Sequence, residues 1–302
     1  MTRIQANLLL LLAGVIWGMG FVAQSTAMAS IGPFLFIALR AAIASLTILP
    51  LAIAEGRQAQ RKLQAGNYLY FIMVGLTLFV GLALQQIGLI TTSVTNAGFL
   101  TGLYVVLVPI IGVLIFRAWP HPVVWPSAAA CLAGIFLLSG GKLDALKQGD
   151  WLVISAALFW AMQVILIGRA GRTGRPIMLT CVQFATAALA GFVIAGLVED
   201  IRWDAIALTW KELLFTGVFS SGIAFTLQAV GQRYTSSAQA AIFLSSEALF
   251  AAFFGALFLG ERLSLIGFIG CGLLFAAMLA VELVPLFWNR KPVPAPIAEA
   301  AE

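Results

Sequence analysis

Ten stretches of the sequence are each long and apolar enough to cross the hydrocarbon layer of a membrane. Such a crossing takes about 20 mainly apolar residues in a helix. Backbone polar groups find no partners in lipid, and the stretches lack the alternation of a β-barrel, so each is expected to be a helix. With 62% hydrophobic and 10% charged residues, the chain is predicted to be an all-α integral membrane protein. The predicted spans are residues 6–27, 33–54, 68–90, 95–117, 122–139, 151–169, 176–198, 210–232, 236–258 and 264–284.

The sequence contains one unit twice, at a constant offset of 143 residues. This offset places Trp17 on Trp160 and Gln85 on Gln228, which are uncommon residue types in so apolar a chain. Each copy holds five spans, an odd number, so the second copy must be inverted in the membrane relative to the first. Inverted repeats are a recurring architecture of secondary transporters. The predicted division is a first repeat at 1–139, a linker at 140–150, an inverted repeat at 151–284 and a disordered cytoplasmic tail at 285–302.

The basic residues are distributed unequally between the two sides of the predicted membrane. Eleven share the side of the amino terminus: Arg3, Arg57, Arg61, Lys62, Arg117, Arg169, Arg172, Arg175, Arg233, Arg290 and Lys291. Five lie on the other side: Lys142, Lys147, Arg202, Lys211 and Arg262. The positive-inside rule therefore predicts cytoplasmic termini and a multi-pass protein of the cell inner (plasma) membrane, in contact with lipids. This distribution accounts for the net charge of +5 without a nucleic-acid partner.

Three ionisable residues lie inside predicted spans, where a charge is costly and commonly marks function. Glu247 lies about 11 residues, or roughly 16 Å, from either end of the ninth span, and is therefore a midplane acid. Glu282 is close enough to the end of the tenth span to reach water. Arg40 lies about 10 Å from the outer end of the second span. It could bind a substrate carboxylate, pair with an acid or bind backbone carbonyls.

Aromatic residues accompany the midplane acid. Tyr104 is the counterpart of Glu247 in the first copy, and Trp17 and Trp160 lie near the middle of the first and sixth spans. These four side chains share one depth on four helices related by the repeat, and we predict that they bind the substrate. Gln163 follows Trp160 by three residues and faces the same way, so it is added to this site. The alternative is that the aromatic rings only fill a core.

A second set of polar residues lies in the spans away from this centre or beside it. Together with Arg40, its members are Gln85, Asn96, Gln228, Gln239 and Ser246. They could line the entrance and exit of a polar path or bond neighbouring helices. For Gln85 and Gln228 we favour the structural role.

Local signals predict further details of the helices. Gly14 and Gly18 are spaced by four residues, which lets another helix backbone approach closely. Pro109 should bend the fourth span. The polar connections at 55–67 and 199–209 are expected to be solvated surface.

No enzyme, metal or cofactor signature is present in the sequence. The glycine-rich Gly140, Gly141 and Lys142 lack the remaining residues of a phosphate-binding loop, and His121 is the one histidine. The three cysteines all fall within spans. We therefore predict a protein that is not an enzyme, that carries no cofactor and no metal, and that does not use ATP directly.

Four segments resemble the EamA family of the drug/metabolite transporter superfamily. They are GVIWGMGFV at 14–22, FIALRAAIA at 36–44, NAGFLTGLYVVLVPIIGVL at 96–114 and SSEALFAAFFGALFLGERLS at 245–264. The resemblance implies ten helices in two repeats and export of amino acids or other small metabolites, and the midplane aromatics favour a YddG-like amino-acid exporter. The family usually has proline after the acid, whereas this chain has Ala248, so the sequence leaves open whether the ninth span is kinked.

The functional hypothesis is an exporter of amino acids, aromatic or other neutral ones, or of similar small metabolites, working by alternating access. Glu247 would bind a substrate ammonium or exchange a proton. Two alternatives remain open: efflux of drugs or toxic cations, which aromatic rings and a midplane acid also suit, and a lipid-carrier flippase subunit. The sequence leaves open the substrate, the coupling ion and the oligomeric state.

Overall fold

The computed structural model describes residues 1–60, 62–138, 147–262 and 264–288, and this part of the chain is helical without any strand. The helices of the first repeat are α1 (Arg3–Ala27), α2 (Pro33–Gln58), α3 (Ala65–Gly88), α4 (Val94–Thr101), α5 (Tyr104–Leu114) and α6 (Val124–Leu138). Those of the second are α7 (Gln148–Ala170), α8 (Pro176–Val198), α9 (Trp203–Leu208), α10 (Trp210–Leu214), α11 (Ala224–Gly231), α12 (Ser237–Leu244), α13 (Ser246–Leu259) and α14 (Leu265–Phe287). A 3₁₀ turn at Gly171–Thr173 follows α7, and a π-helical segment at Phe215–Ile223 joins α10 to α11.

These helices make up the ten predicted spans. Within the described residues, nine helical spans are long and apolar enough to cross a membrane, and α6 is a shorter apolar tenth. The predicted all-α, ten-span architecture is confirmed. The helices α7 and α14 reach three residues into the predicted linker and tail, where the Asp150 carboxylate caps the start of α7 by accepting the N–H of Lys147 at 2.9 Å. The rest of the linker, 139–146, and of the tail, 289–302, lies outside the described residues.

Helices α2 and α8, which the offset relates to each other, pack side by side and run in opposite directions. At one end of the pair, the Glu199 carboxylate after α8 accepts the N–H groups of Phe34 and Leu35, both at 2.8 Å. At the other end, the Glu55 carboxylate in the last turn of α2 accepts the N–H groups of Ile177 and Met178 at 3.1 and 2.9 Å. Equivalent helices that are antiparallel are the direct expression of the inverted repeat.

These contacts explain how two helices without a capping side chain of their own can begin. Both α2 and α8 start with a proline, and neither has a side chain at its N-cap that bonds the first turn. The carboxylate from the other half of the protein satisfies two of the unpaired N–H groups and lies at the positive end of the helix dipole. Our expectation of solvated surface at 55–67 and 199–209 is therefore wrong for Glu55 and Glu199, because the packing of the two halves brings each acid onto a helix start.

The fourth and ninth spans are each interrupted near the middle, at equivalent positions. The first break separates α4 from α5 at Gly102, and the second separates α12 from α13 at Ser245. At each break the helix tightens into a 3₁₀ turn, with the N–H of Val105 on the carbonyl of Gly102 at 3.0 Å and that of Ala248 on Ser245 at 3.1 Å. Discontinuous helices of this kind mark the binding sites of many transporters.

Neither break lies at a proline. Pro109 lies inside α5, seven residues after the break at Gly102. The ninth span is interrupted at Ser245 although Ala248 stands directly after Glu247, where the family usually has proline. The hydroxyl of Ser245 donates to the carbonyl of Ile242 at 2.7 Å, which gives the local backbone an alternative to the regular helical bond.

Helix α1 packs against α13 through glycines, as the spacing of Gly14 and Gly18 predicts. A methyl group placed on Gly14 would lie 3.2 Å from the backbone nitrogen of Glu247, and one on Gly18 would lie 2.7 Å from that of Ala251. The backbones of α1 and α13 therefore touch, and the two helices run in the same direction. This contact fixes the start of α13 at the level of the middle of α1.

We expect replacement of either capping acid to destabilise the protein. The change Glu199→Ala leaves two first-turn N–H groups of α2 without partners and should cost about 1–3 kcal/mol. Thermal unfolding of the purified protein in detergent measures this loss. Asp200→Ala is the matched control, since this exposed acid is the next residue and makes no such contact. Equal melting temperatures for the two variants would contradict the assigned role.

Candidate functional site

A cavity lies between the two repeats, and both contribute to its walls. The residues that line it from the first repeat are Trp17, Phe21, Gln24, Arg40, Leu82, Gln85, Thr101 and Tyr104. Those from the second repeat are Trp160, Gln163, Val164, Ser220, Phe225, Gln228, Leu244 and Glu247. Eight of these sixteen residues are apolar or aromatic, and the other eight carry polar or charged side chains. Polar groups that converge among apolar and aromatic side chains are usual in small-molecule sites.

The five residues predicted to bind substrate all face this cavity. The structure brings together Trp17, Tyr104, Trp160, Gln163 and Glu247, together with Arg40, Gln85 and Gln228 from the second predicted set. Asn96, Gln239 and Ser246 are not part of the wall. The cavity is therefore built around the level of the two helix breaks, where Tyr104 begins α5 and Glu247 lies in the first turn of α13.

Glu247 is 5% exposed and forms no ion pair with any of the described residues. Its place in the first turn of α13 puts the carboxyl near the positive end of the helix dipole. The side chain that interacts with it is that of Tyr104, which is 3% exposed. The Tyr104 hydroxyl does not reach the geometry of a hydrogen bond with any described group. Equivalent positions of the two repeats thus place a carboxyl group next to a phenol, and both groups can still form hydrogen bonds with a ligand.

Three aromatic rings cluster in the apolar part of the wall. The ring centroids of Trp17 and Phe225 are 4.7 Å apart, and those of Trp160 and Phe225 are 6.2 Å apart. The indole N–H of Trp17 donates to the backbone carbonyl of Ser220 at 2.9 Å. The indole nitrogen of Trp160 is buried without a partner in the described part of the chain. Trp17 is thereby held in place, and Trp160 retains a donor that a ligand can use.

Arg40 is 1% exposed, so its side chain does not reach water. Its Nε donates to the hydroxyl of Ser221 at 3.1 Å, and its Nη1 donates to the side-chain oxygen of Gln24 at 2.6 Å. Its Nη2 donates to the hydroxyl of Ser220 at 3.4 Å. None of these partners is an acid or a backbone carbonyl, so two of the three alternatives that the sequence left open are excluded within the described residues. A buried cation here has only neutral partners.

The π-helical segment explains how two serines come to lie at Arg40. In the first repeat, the equivalent residues 72–80 belong to the uninterrupted helix α3. In the second, the N–H of Ala224 bonds back five residues to the carbonyl of Phe219, which widens the helix. The carbonyl of Ser220 is then available to Trp17. Widened helical turns of this kind occur frequently at functional sites.

Gln163 and Gln228 bond each other across the cavity wall through both ends of their amides, at 3.2 and 3.5 Å. The equivalent positions in the first repeat are Gly20 and Gln85. Because Gly20 carries no amide, Gln85 has no such partner and makes no hydrogen bond within the described chain. Of the two glutamines for which we favoured a structural role, Gln228 has one in addition to lining the cavity.

The remaining predicted residues lie elsewhere. Gln239 donates to the Glu282 carboxylate at 3.0 Å, and that carboxylate also accepts from Asn7 at 2.6 Å and pairs with Arg3 at 3.4 Å. Glu282 thus joins the ends of α1, α12 and α14. Asn96 lies in the first turn of α4, and the hydroxyl of Ser246 is buried beside Gly14.

Several wall residues were missed by the sequence reasoning. They are Phe21, Gln24, Leu82, Thr101, Val164, Ser220, Phe225 and Leu244. Ser221, whose hydroxyl accepts a hydrogen bond from Arg40, was missed as well. The adjacent polar residues of the segment GVFSSG, which interrupt an apolar span, were the available signal for Ser220 and Ser221. Phe225 had none, since it is one of 22 phenylalanines.

Relatives of known sequence include proteins that are named transporters. The chain is 31% identical over 284 residues to an uncharacterized transporter of Archaeoglobus fulgidus, a match that covers 93% of this chain and 87% of the relative. It is 23% identical to a chloroplastic WAT1-related protein of Arabidopsis thaliana, over 88% of this chain and 66% of the relative. A protein of solved crystal structure shares the fold with a TM-score of 0.77 at 18% identity, over 96% of this chain and all of that one.

The model of the EamA-like transporter family matches the chain twice, at residues 4–140 and 147–283. The second match begins and ends 143 residues after the first, which is the offset of the internal repeat. Together the two matches cover nearly all of the ten spans. The chain therefore belongs to the EamA-like transporter family.

Proposed function

We propose that this protein exports amino acids or similar small metabolites across the cell inner membrane as a secondary transporter, with both termini in the cytoplasm. The observation that carries the proposal is the unpaired Glu247 carboxyl in an aromatic cavity between two inverted halves. A carboxylate held there is a partner for a substrate ammonium group, and the rings of Trp17, Trp160 and Phe225 can contact an apolar side chain or the ammonium face-on.

The inverted repeat suits alternating access, in which one fixed site opens to each side in turn. Among the wall residues, Gln228 lies only three residues before the predicted cytoplasmic end of α11, so we assign to the Gln163–Gln228 pair the role of closing that side. On the opposite side, Gln24 and Gln85 lie three residues from the ends of α1 and α3, and Gln85 has no amide across from it. Opening towards the cytoplasm would require the glutamine pair to separate.

Efflux of organic cations is the second candidate function, because a midplane acid among aromatic rings also suits a cation. The same cavity, however, contains the buried guanidinium of Arg40, which repels a second positive charge. A substrate that carries both charges avoids this repulsion. Amino acids are therefore preferred to cationic drugs.

The proposal predicts that the protein moves amino acids when it is reconstituted alone. Liposomes containing the purified protein should take up one or more of the twenty radiolabelled amino acids faster than empty liposomes, and a pH gradient should alter the rate. A cationic dye offered in parallel tests the second candidate. Dye transport that no amino acid inhibits would replace amino-acid export by cation efflux.

Glu247→Gln should lower the transport rate at least tenfold and remove its dependence on the pH gradient, because the amide neither binds ammonium strongly nor exchanges a proton. Initial rates in liposomes at several external pH values measure both effects. Glu282→Gln is the control, since this acid lies within a membrane helix but away from the cavity. An unaltered rate and pH profile in the Glu247 variant would end the role given to this carboxyl.

Gln163 and Gln228 should be energetically coupled. The change Gln163→Leu leaves the buried amide of Gln228 without its partner and should cost about 1–3 kcal/mol, whereas the double change to leucine should recover part of this loss. Thermal unfolding of the single and double variants gives the coupling. Gln85→Leu, at the position equivalent to Gln228, should cost less. If the stability losses of the two single variants simply add up in the double variant, the two amides are not coupled and the pair does not act as a closure.

A further inference from the structure

Arg40 is the charged group of the cavity that the proposed function does not yet use. A guanidinium carries five N–H donors, and three of those of Arg40 are used by Ser221, Gln24 and Ser220. One donor on Nη1 and one on Nη2 remain. Donors on the two terminal nitrogens of a guanidinium can bind the two oxygens of a carboxylate.

The surroundings of Arg40 supply hydrogen bonds and the ring of Phe36, whose centroid is 5.9 Å from the guanidinium carbon, and among the described residues they supply no negative charge. The described residues place no carboxylate within ion-pair distance of it, and its three acceptors are neutral. An unpaired charge in the middle of a membrane protein is expensive, and ionisable groups kept there face a cavity or a partner. Since Arg40 lines the cavity, a bound anion would supply the missing partner.

The position of Arg40 relative to Glu247 follows from the contacts of both with α1. The backbone of Glu247 lies against Gly14, and the hydroxyl of Ser220, which accepts from Arg40, lies 2.8 Å from a methyl group placed on Gly20. Six residues of helix separate these glycines, which is about 9 Å. Trp17 lies between the two levels and forms the wall that joins them. Arg40 and Glu247 therefore line the cavity at different levels along α1.

We infer that the cavity binds its substrate as a zwitterion, with the carboxylate on the guanidinium fork of Arg40 and the ammonium group on Glu247. This inference rests on the proposed function and specifies its substrate class. An α-amino acid carries its ammonium and carboxylate groups on one carbon, and the two residues that would bind these groups both line the cavity. The apolar substituent then lies against Trp17, Trp160 and Phe225.

The inference makes Arg40 a specificity residue instead of a purely structural one. A structural role, in which Arg40 only holds Gln24 and the two serines, would make its loss lower the affinity for all ligands alike. A carboxylate-binding role makes its loss selective for ligands that carry a carboxylate. Ligands that differ in one charged group therefore distinguish the two roles.

The experiment measures binding to the purified full chain from ligand-induced shifts of the melting temperature. The probes are L-phenylalanine, L-phenylalaninamide, which lacks the carboxylate, and N-acetyl-L-phenylalanine, which lacks the ammonium group. The wild-type protein should bind phenylalanine at least about tenfold more tightly than either analogue. Equal affinity for phenylalanine and its amide in the wild type would overturn the inference without any variant.

Variants assign each preference to its residue. Arg40→Gln should bind phenylalanine and phenylalaninamide equally and still reject the acetylated analogue, and Glu247→Gln should show the reverse pattern. Arg40→Lys, which keeps the charge without the fork, should retain a reduced preference for the carboxylate, and it serves if the glutamine variant does not fold. Gln183→Met is the matched control, because Gln183 is the buried counterpart of Arg40 in α8 and lies outside the cavity wall.

Two results would contradict the inference separately from the proposed function. Arg40 variants that keep the full preference for the carboxylate, or that lose affinity for all three probes to the same extent, would overturn the carboxylate site while amino-acid transport still stood. Failure of the wild type to be stabilised by phenylalanine or by any of the other nineteen amino acids would overturn the proposed function, and the inference with it.

Discussion

A polar group inside a membrane must find a partner within the protein, and this constraint shapes every part of the structure. Glu55 and Glu199 bond the starts of helices, Glu282 bonds three side chains, and Gln163 bonds Gln228. In the cavity wall, by contrast, Thr101, Tyr104 and Trp160 keep buried polar atoms without partners in the described residues. These three groups can bond a ligand, because they line the cavity. Buried polar atoms without partners also occur away from it, among them both ends of the Gln183 amide, and nothing in the structure explains that residue.

The repeat supplies a symmetric frame, and the site is made from its departures from symmetry. Tyr104 faces Glu247, Arg40 has Gln183 as its counterpart, and Gly20 has Gln163. The straight helix α3 corresponds to a span that contains a π-helical segment. Each difference changes a charge, a hydrogen bond or the width of a helix in one repeat and not in the other. A cavity lined by two unlike charged groups results from two copies of one five-helix unit.

Depth along the spans was enough to predict much of this arrangement from the sequence. Apolar runs located the helices, the offset established the inversion, and the distance of Glu247 from both ends of its span placed it at midplane. What depth does not reveal is the bonding between halves. The partners of Arg40 depend on a widening of the helix at Ser220 that has no counterpart in α3, and the roles of Glu55 and Glu199 depend on the packing of α2 against α8. The breaks at Gly102 and Ser245 likewise arise without a proline.

The reciprocal caps on α2 and α8 have a mechanical consequence. Each carboxylate joins the end of a helix in one half to the start of a helix in the other, so the α2–α8 interface is held by hydrogen bonds at both of its ends. A displacement that separated α2 from α8 would break four charge-assisted hydrogen bonds together. Any movement of one half relative to the other would therefore have to preserve this interface, and the remaining helices would rotate about α2 and α8.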